Sequence, residues 1–211
     1  ARGLEGNGKA HGDGGSGGVG AHCSAVLIRP LNWPTIVPAA PQSAMSLSSR
    51  HRRPSLLVVG CGDVGMRVLR LLRGRWRLLA LTSTPSRCAE LRAAGAVPLL
   101  GNLDEPATLG RIGSLADAVL HLAPPPGHGA RDPRTAHLLQ ALARAGRVRR
   151  IVYASTTGVY GDAGGARFDE TRPLAPASDR ARRRVDAEQG LRQFGLAMGV
   201  AVTLLRIPGI Y

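Results

Sequence analysis

The chain has 211 residues, 44% of them apolar and 20% charged, enough for one α/β domain with a sizeable core. Its net charge of +14 rests almost wholly on arginine, with Lys9 the sole lysine and only 3% aromatic residues to interleave. That pattern describes a solvated surface rather than a specific nucleic-acid site, and no run approaches the about 18 apolar residues of a membrane span.

Cys23, Cys61 and Cys88 form no metal-ligand spacing, so no metal site is expected. Scattered thiols suit a reducing cytoplasm, and the start shows no signal-peptide pattern.

Residues 1 to about 50 differ from the rest. GNGKAHGDGGSGGVGAH is glycine-rich, and Leu31 to Pro41 is broken by prolines, so this stretch is expected to be a disordered tail. Met45, followed by SLSSRHRRP and then the first strand, fits a natural start. His11, His22 and Cys23 are read as scattered tail residues, not ligands.

Ser55–Val59 (SLLVV) reads as a strand buried on both faces. Gly60, Cys61, Gly62, Asp63, Val64 and Gly65 then fit G-x-G-x-x-G, and Val64, Val68, Leu71 and Leu72 recur at helical spacing before Gly74. Strand, glycine turn and helix in this order suit a pyrophosphate. Gly60 allows the tight turn, Gly62 leaves the backbone bare, and Gly65 permits close packing of the helix. The helix N-terminus adds free N–H groups and a partial positive charge.

Strand and helix alternate from there. Trp76–Thr82, Ala96–Leu100, Ala116–Ala123, Arg150–Ala154 and Val200–Arg206 read as strands. Pro85–Ala94, Pro106–Ile112, Pro133–Ala145 and a stretch within Asp179–Met198 read as helices. The alternation predicts a doubly wound parallel sheet in three α/β/α layers, occupying 55–211. Its ligand is expected at the strand C-terminal ends, near the switch point.

Several strand ends carry candidate contacts. After the second strand, Thr82 and Ser83 stand where an NAD site commonly places Asp or Glu, and Arg87 follows, which favours NADP while leaving NAD open. Asn102 and Leu103 could meet adenine, and Asp104 could equally cap the helix at Pro106. Ala123 and Pro124 could wall the nicotinamide end, whereas His121 reads as a packed core residue. Ser155, Thr156 and Thr157 put hydroxyls at the same edge, able to bond a substrate oxygen during hydride transfer.

The glycine motif, Ile151–Asp162 (IVYASTTGVYGD) and Leu205–Tyr211 (LRIPGIY) together resemble the extended short-chain dehydrogenase/reductase superfamily, in its NAD(P)-dependent epimerase/dehydratase branch. The resemblance implies an NAD(P)-binding Rossmann domain and a smaller C-terminal substrate domain, acting on a nucleotide-sugar or small carbonyl substrate. It marks Thr156 as the catalytic hydroxyl, with Ser155 and Tyr160 as further candidates. The family's Tyr-x-x-x-Lys is not matched, because Arg180 and Arg184 fill those two places. Relatives continue past the point matching Tyr211, so the substrate domain is expected to be missing. A cofactor-sensing or scaffolding module without turnover is the alternative. Asp179–Met198 offers a long helix for a homodimer.

Overall fold

A computed structural model describes residues 53–209. The glycine-rich tail, the Met45 start, His11, His22, Cys23 and Tyr211 lie outside the described residues. Six strands form one parallel sheet: β1 (Ser55–Val59), β2 (Arg77–Thr82), β3 (Val97–Leu100), β4 (Ala118–His121), β5 (Arg150–Thr156) and β6 (Ala201–Ile207). They stand in the order β3-β2-β1-β4-β5-β6, so the chain reverses direction across the sheet between β1 and β4. That is the doubly wound order, and its crevice lies outside the β1 and β4 carboxyl ends.

Every residue of β1 is buried, as its unbroken apolar run requires of a central parallel strand. On one face Leu56, Val58 and Leu78 pack with Met66 and Leu69 of α1 (Asp63–Leu72) and Leu91 of α2 (Cys88–Ala93). On the other, Leu57, Leu79 and Ile151 pack with Leu138 and Leu142 of α3 (Pro133–Ala143) and Leu191 of α4 (Asp179–Met198). The three layers therefore follow the predicted fold class.

The helix starts follow local chemistry. At α3, the Asp132 carboxylate accepts from the Thr135 backbone N–H at 3.2 Å, and Pro133 fills the first turn. At α4, Ser178 caps Ala181 at 3.2 Å, and Gly199 ends the helix in the left-handed region at φ 64°. α1 differs. Its N-cap is Gly62, with no side-chain cap, so its first N–H groups are left to the solvent-side crevice.

The expected and observed elements differ in several places, and the strand expected over Ala116–Ala123 pairs only over Ala118–His121. Pro85–Ala94 divides into a 3-10 turn at Pro85–Arg87 and the short α2. Pro106–Ile112 becomes two 3-10 turns, Pro106–Leu109 and Ile112–Ser114, with Gly110 between them weakening any continuous helix. β5 runs on to Thr156, two residues past the expected end, because its pairing with β6 continues through Ser155↔Arg206 and Thr156↔Ile207. Ser155 and Thr156 are strand residues, not loop residues.

Candidate cofactor cleft and the polar network beside it

The glycine turn divides its labour. Gly60 has φ +94°, and a Cβ there would strike the Ala123 backbone at the end of β4. A Cβ on Gly65 would lie 2.7 Å from the Gly60 carbonyl oxygen. Both glycines are therefore required for close approach. Gly62 is different: a Cβ there would meet nothing within 4 Å. Its bareness serves nothing in the protein's own packing, and it borders a cleft of about 400 Å³. That space, next to uncapped helix N–H groups, fits a diphosphate.

The same cleft is bordered by Gly60, Cys61, Thr82, Ser83, Arg87, Asn102, Leu103 and Ala123, so nine of the sequence-predicted contacts meet here, counting Gly62. Asp63, Val64 and Gly65 stand in the first turn of α1 behind it; Asp63 pairs outward with Arg67 at 2.9 Å. Pro124 directly follows Ala123, and its carbonyl accepts from Arg134 at 3.3 Å.

Three charged side chains border the cleft, Arg87, Arg134 and Asp104. Arg87 donates to the Cys61 carbonyl at 2.8 Å, tying the loop after β2 to the glycine turn, and pairs with Glu90 at 3.0 Å. No carboxylate borders the β2 end of the cleft, where Thr82 Oγ1 accepts from the Thr84 N–H at 3.2 Å. Arg134, from α3, holds Asp104 through two bonds of 2.8 and 2.7 Å. This contact keeps the Asp104 carboxyl below the usual carboxylate range. Asp104 is thus not the helix cap the sequence offered as one option, since Glu105 occupies that position. Asn102 is engaged within its own turn: Oδ1 accepts from the Asp104 N–H at 3.0 Å, and Nδ2 donates to Glu105 at 2.9 Å. Its backbone is engaged as well, the Asn102 N–H donating to Thr108 Oγ1 at 2.8 Å and its carbonyl accepting from the Glu105 N–H at 3.0 Å. Cys61 has a buried thiol that burial pushes up to about 11, so it enters the cleft as a neutral residue.

Ser155, Thr156 and Tyr160 do not border this cleft. The Ser155 hydroxyl donates to Glu188 at 2.5 Å, and Glu188 pairs with Arg206 at 2.8 Å with only 1% and 12% of their side chains exposed. Arg206 also donates to the Tyr160 hydroxyl at 2.6 Å, and Tyr160 meets Phe168 edge to face at 4.9 Å. Ser155 and Tyr160 are therefore members of one buried network joining β5, α4 and β6. Tyr160 also lines a larger cavity of about 850 Å³ beside β6, with Phe168, Arg206 and Pro208. Thr156 Oγ1 accepts from the Gly158 N–H at 3.2 Å, which leaves its own proton uncommitted to that bond.

Arg180 lies exposed in the first turn of α4. Arg184 donates to the Tyr153 hydroxyl at 2.9 Å and the Ala154 carbonyl at 2.8 Å. Tyr153 is fully buried, and burial pushes its phenol up to about 12 against the pull of Arg184. His121 is the core residue expected, 1% exposed, with Nε2 2.9 Å from Thr135 Oγ1. Because the Thr135 hydroxyl donates to Asp132 at 2.7 Å, His121 Nε2 must carry the proton. Burial, with Arg184 nearby, pushes the imidazole down to about 3. Among the described residues no group of His, Cys, Asp or Glu could hold a metal, and no helix is long and apolar enough to cross a membrane.

Two partners escaped sequence reasoning. Arg134 is one arginine among many, marked by nothing but its place one residue into α3, and Glu188 looks like ordinary helix surface until Arg206 of β6 is brought beside it.

The model of the NAD dependent epimerase/dehydratase family matches residues 56–211. The chain belongs to that family. Solved structures similar to this epimerase/dehydratase family member include a functionally unknown conserved protein from Silicibacter pomeroyi, at 34% identity over 75% of this chain and 53% of that one, with TM-score 0.62. A short-chain dehydrogenase/reductase superfamily protein from Agrobacterium tumefaciens with bound NAD matches at 28% identity, 72% and 48% coverage and TM-score 0.61. A dTDP-glucose 4,6-dehydratase double mutant from Streptomyces venezuelae, with NAD and DAU bound, matches at 27% identity, 71% and 54% coverage and TM-score 0.60. The chain spans about half the length of these solved relatives. No curated protein matches it.

Proposed function

We propose that this chain binds NADP(H), with NAD(H) as the weaker alternative, and that the bound nucleotide serves hydride exchange with a small carbonyl or nucleotide-sugar substrate. The observation that carries the binding is Gly62: open space at its Cβ position, between the uncapped start of α1 and a cleft of about 400 Å³. The N–H groups of the first α1 turn would hold the diphosphate. Thr82, Ser83 and Arg87 would hold the adenosine ribose, the two hydroxyls leaving room for a 2′-phosphate and Arg87 pairing with it. Glu90 is half exposed, so its pair with Arg87 is weak and a doubly charged phosphate would displace it. The dinucleotide supplies the hydride donor or acceptor. Thr156, whose proton is free of the Gly158 bond, would orient the substrate oxygen.

Calorimetric titration with NADPH and NADH tests the binding. Consumption of NADPH with a panel of carbonyl substrates tests the turnover, which Thr156→Val should lower by about 100-fold. Absence of nucleotide uptake overturns the reading.

A second reading, a nucleotide-binding module without turnover, is favoured by the tyrosines. Tyr153 and Tyr160 are both buried and both accept from arginines, and the Tyr153 phenol is raised, not lowered. Nucleotide binding with no consumption across the panel would select it.

A further inference from the structure

The cleft has two walls, and each is strapped by an arginine. On one wall Arg87 joins the loop after β2 to the glycine turn. On the other, Arg134 joins the loop after β3, through Asp104, to the loop after β4, through the Pro124 carbonyl. One helical turn on, His137 Nδ1 donates to the Leu103 carbonyl at 2.7 Å and fixes the same β3 loop to α3. The two arginines are not equivalent. Both guanidiniums are tied through Nε and NH2 to a carboxylate and through NH1 to a backbone carbonyl, but Asp104 meets Arg134 with both its oxygens, one to each nitrogen, whereas Glu90 meets Arg87 with Oε2 alone. The Arg134 charge is matched by a carboxylate held in a two-bond fork.

Building on the nucleotide reading above, we infer that Arg134 is a positioning residue for the purine: its guanidinium, held flat by Asp104 and Pro124, is the surface on which the base stacks. A guanidinium whose donors are engaged in its plane and whose charge is paired offers the cleft a π face, and such a face packs well on an aromatic ring. The alternatives at this wall are few. The Asn102 amide is engaged with Asp104 and Glu105, and Leu103 and Ala123 supply only apolar surface and backbone. Among the described residues bordering the cleft there is no aromatic side chain, and the nucleotide reading gives the other guanidinium, Arg87, to the 2′-phosphate, so stacking falls to Arg134.

The test uses the full chain and two halves of the cofactor, 2′,5′-ADP and nicotinamide mononucleotide, alongside NADPH. Arg134→Lys keeps the charge and loses the plane; Arg134→Leu loses both. Both variants should weaken 2′,5′-ADP and NADPH roughly tenfold and leave nicotinamide mononucleotide unchanged. Asp104→Asn, which loosens the fork, should give a smaller loss on the same two ligands. Full affinity for 2′,5′-ADP in either Arg134 variant overturns the inference, and so does an equal loss for nicotinamide mononucleotide, which would mean a general slackening of the loops. Wild-type protein that takes up neither NADPH nor 2′,5′-ADP overturns the nucleotide reading and this inference with it.

Discussion

The cofactor cleft and the β5–α4–β6 network lie along the same edge of the sheet and solve opposite problems. In the cleft, the proposed binding rests on what is left out: a glycine with empty space at its Cβ and a helix start with no cap. In the network, polar side chains are fully engaged with one another, Ser155 with Glu188, Glu188 with Arg206, and Arg206 with Tyr160. On the proposed reading one region receives a ligand, while the other holds two strands and a helix together. Hydroxyls at a strand end are therefore not equivalent: adjacent residues of β5 point to opposite faces, so Ser155 enters the network while Thr156 does not.

Glu188 carries the largest expected effect. Glu188→Ala leaves Arg206 and Ser155 without their buried partner and should cost about 3–5 kcal/mol in denaturant unfolding. An unchanged midpoint would remove the network's structural role. Next comes the buried imidazole. The His121 pKa is depressed in the folded chain, so the unfolded chain binds the extra proton and stability is lost as pH falls below the ordinary value of 6.5. Between about pH 7 and about pH 5 the wild type should lose about 2 kcal/mol relative to His121→Phe. Asp132, whose carboxyl burial raises, acts in the opposite sense and is common to both proteins. Equal pH profiles would contradict the buried, neutral assignment.

Smaller effects sharpen the cleft side. Arg87→Ala should lower the preference for NADPH over NADH about tenfold with little change for NADH, since it removes the charge facing a 2′-phosphate. Equal losses for both nucleotides would instead assign Arg87 to the glycine turn alone. Asp63→Asn, although inside the motif, should change neither binding nor folding measurably, because its carboxylate pairs outward with Arg67.

What the sequence discloses follows the same division. β1 and the glycine turn were legible because a buried parallel strand must be apolar, and because the glycines act by being small, which needs no partner to interpret. α1 stands where expected, but it buries Met66 and Leu69, while Val64 and Leu71 of the expected apolar set are exposed. The parallel, doubly wound sheet followed from alternation, though not its strand order, and nine expected contacts meet in one cleft. Residues whose role depends on a distant partner were not legible. Ser155 and Tyr160 looked reactive because Glu188 and Arg206, tens of residues away in the chain, are invisible as neighbours until the sheet forms. Asn102 could not be seen to be engaged with Glu105, nor Asp104 with Arg134. The short α2 and the two 3-10 turns differ from the expected helices because glycine and proline act locally on boundaries, where sequence periods are weakest.

The most direct measurement is calorimetric titration of NADPH into wild type and Gly62→Val. The backbone at Gly62 is extended, φ −71° and ψ −160°, and a Cβ there meets nothing, so the variant should fold with an unchanged unfolding midpoint. With that midpoint preserved, the account predicts loss of nucleotide binding by about 100-fold or more, as a branched side chain occupies the diphosphate's place. A folded Gly62→Val that takes up NADPH as tightly as wild type would contradict it.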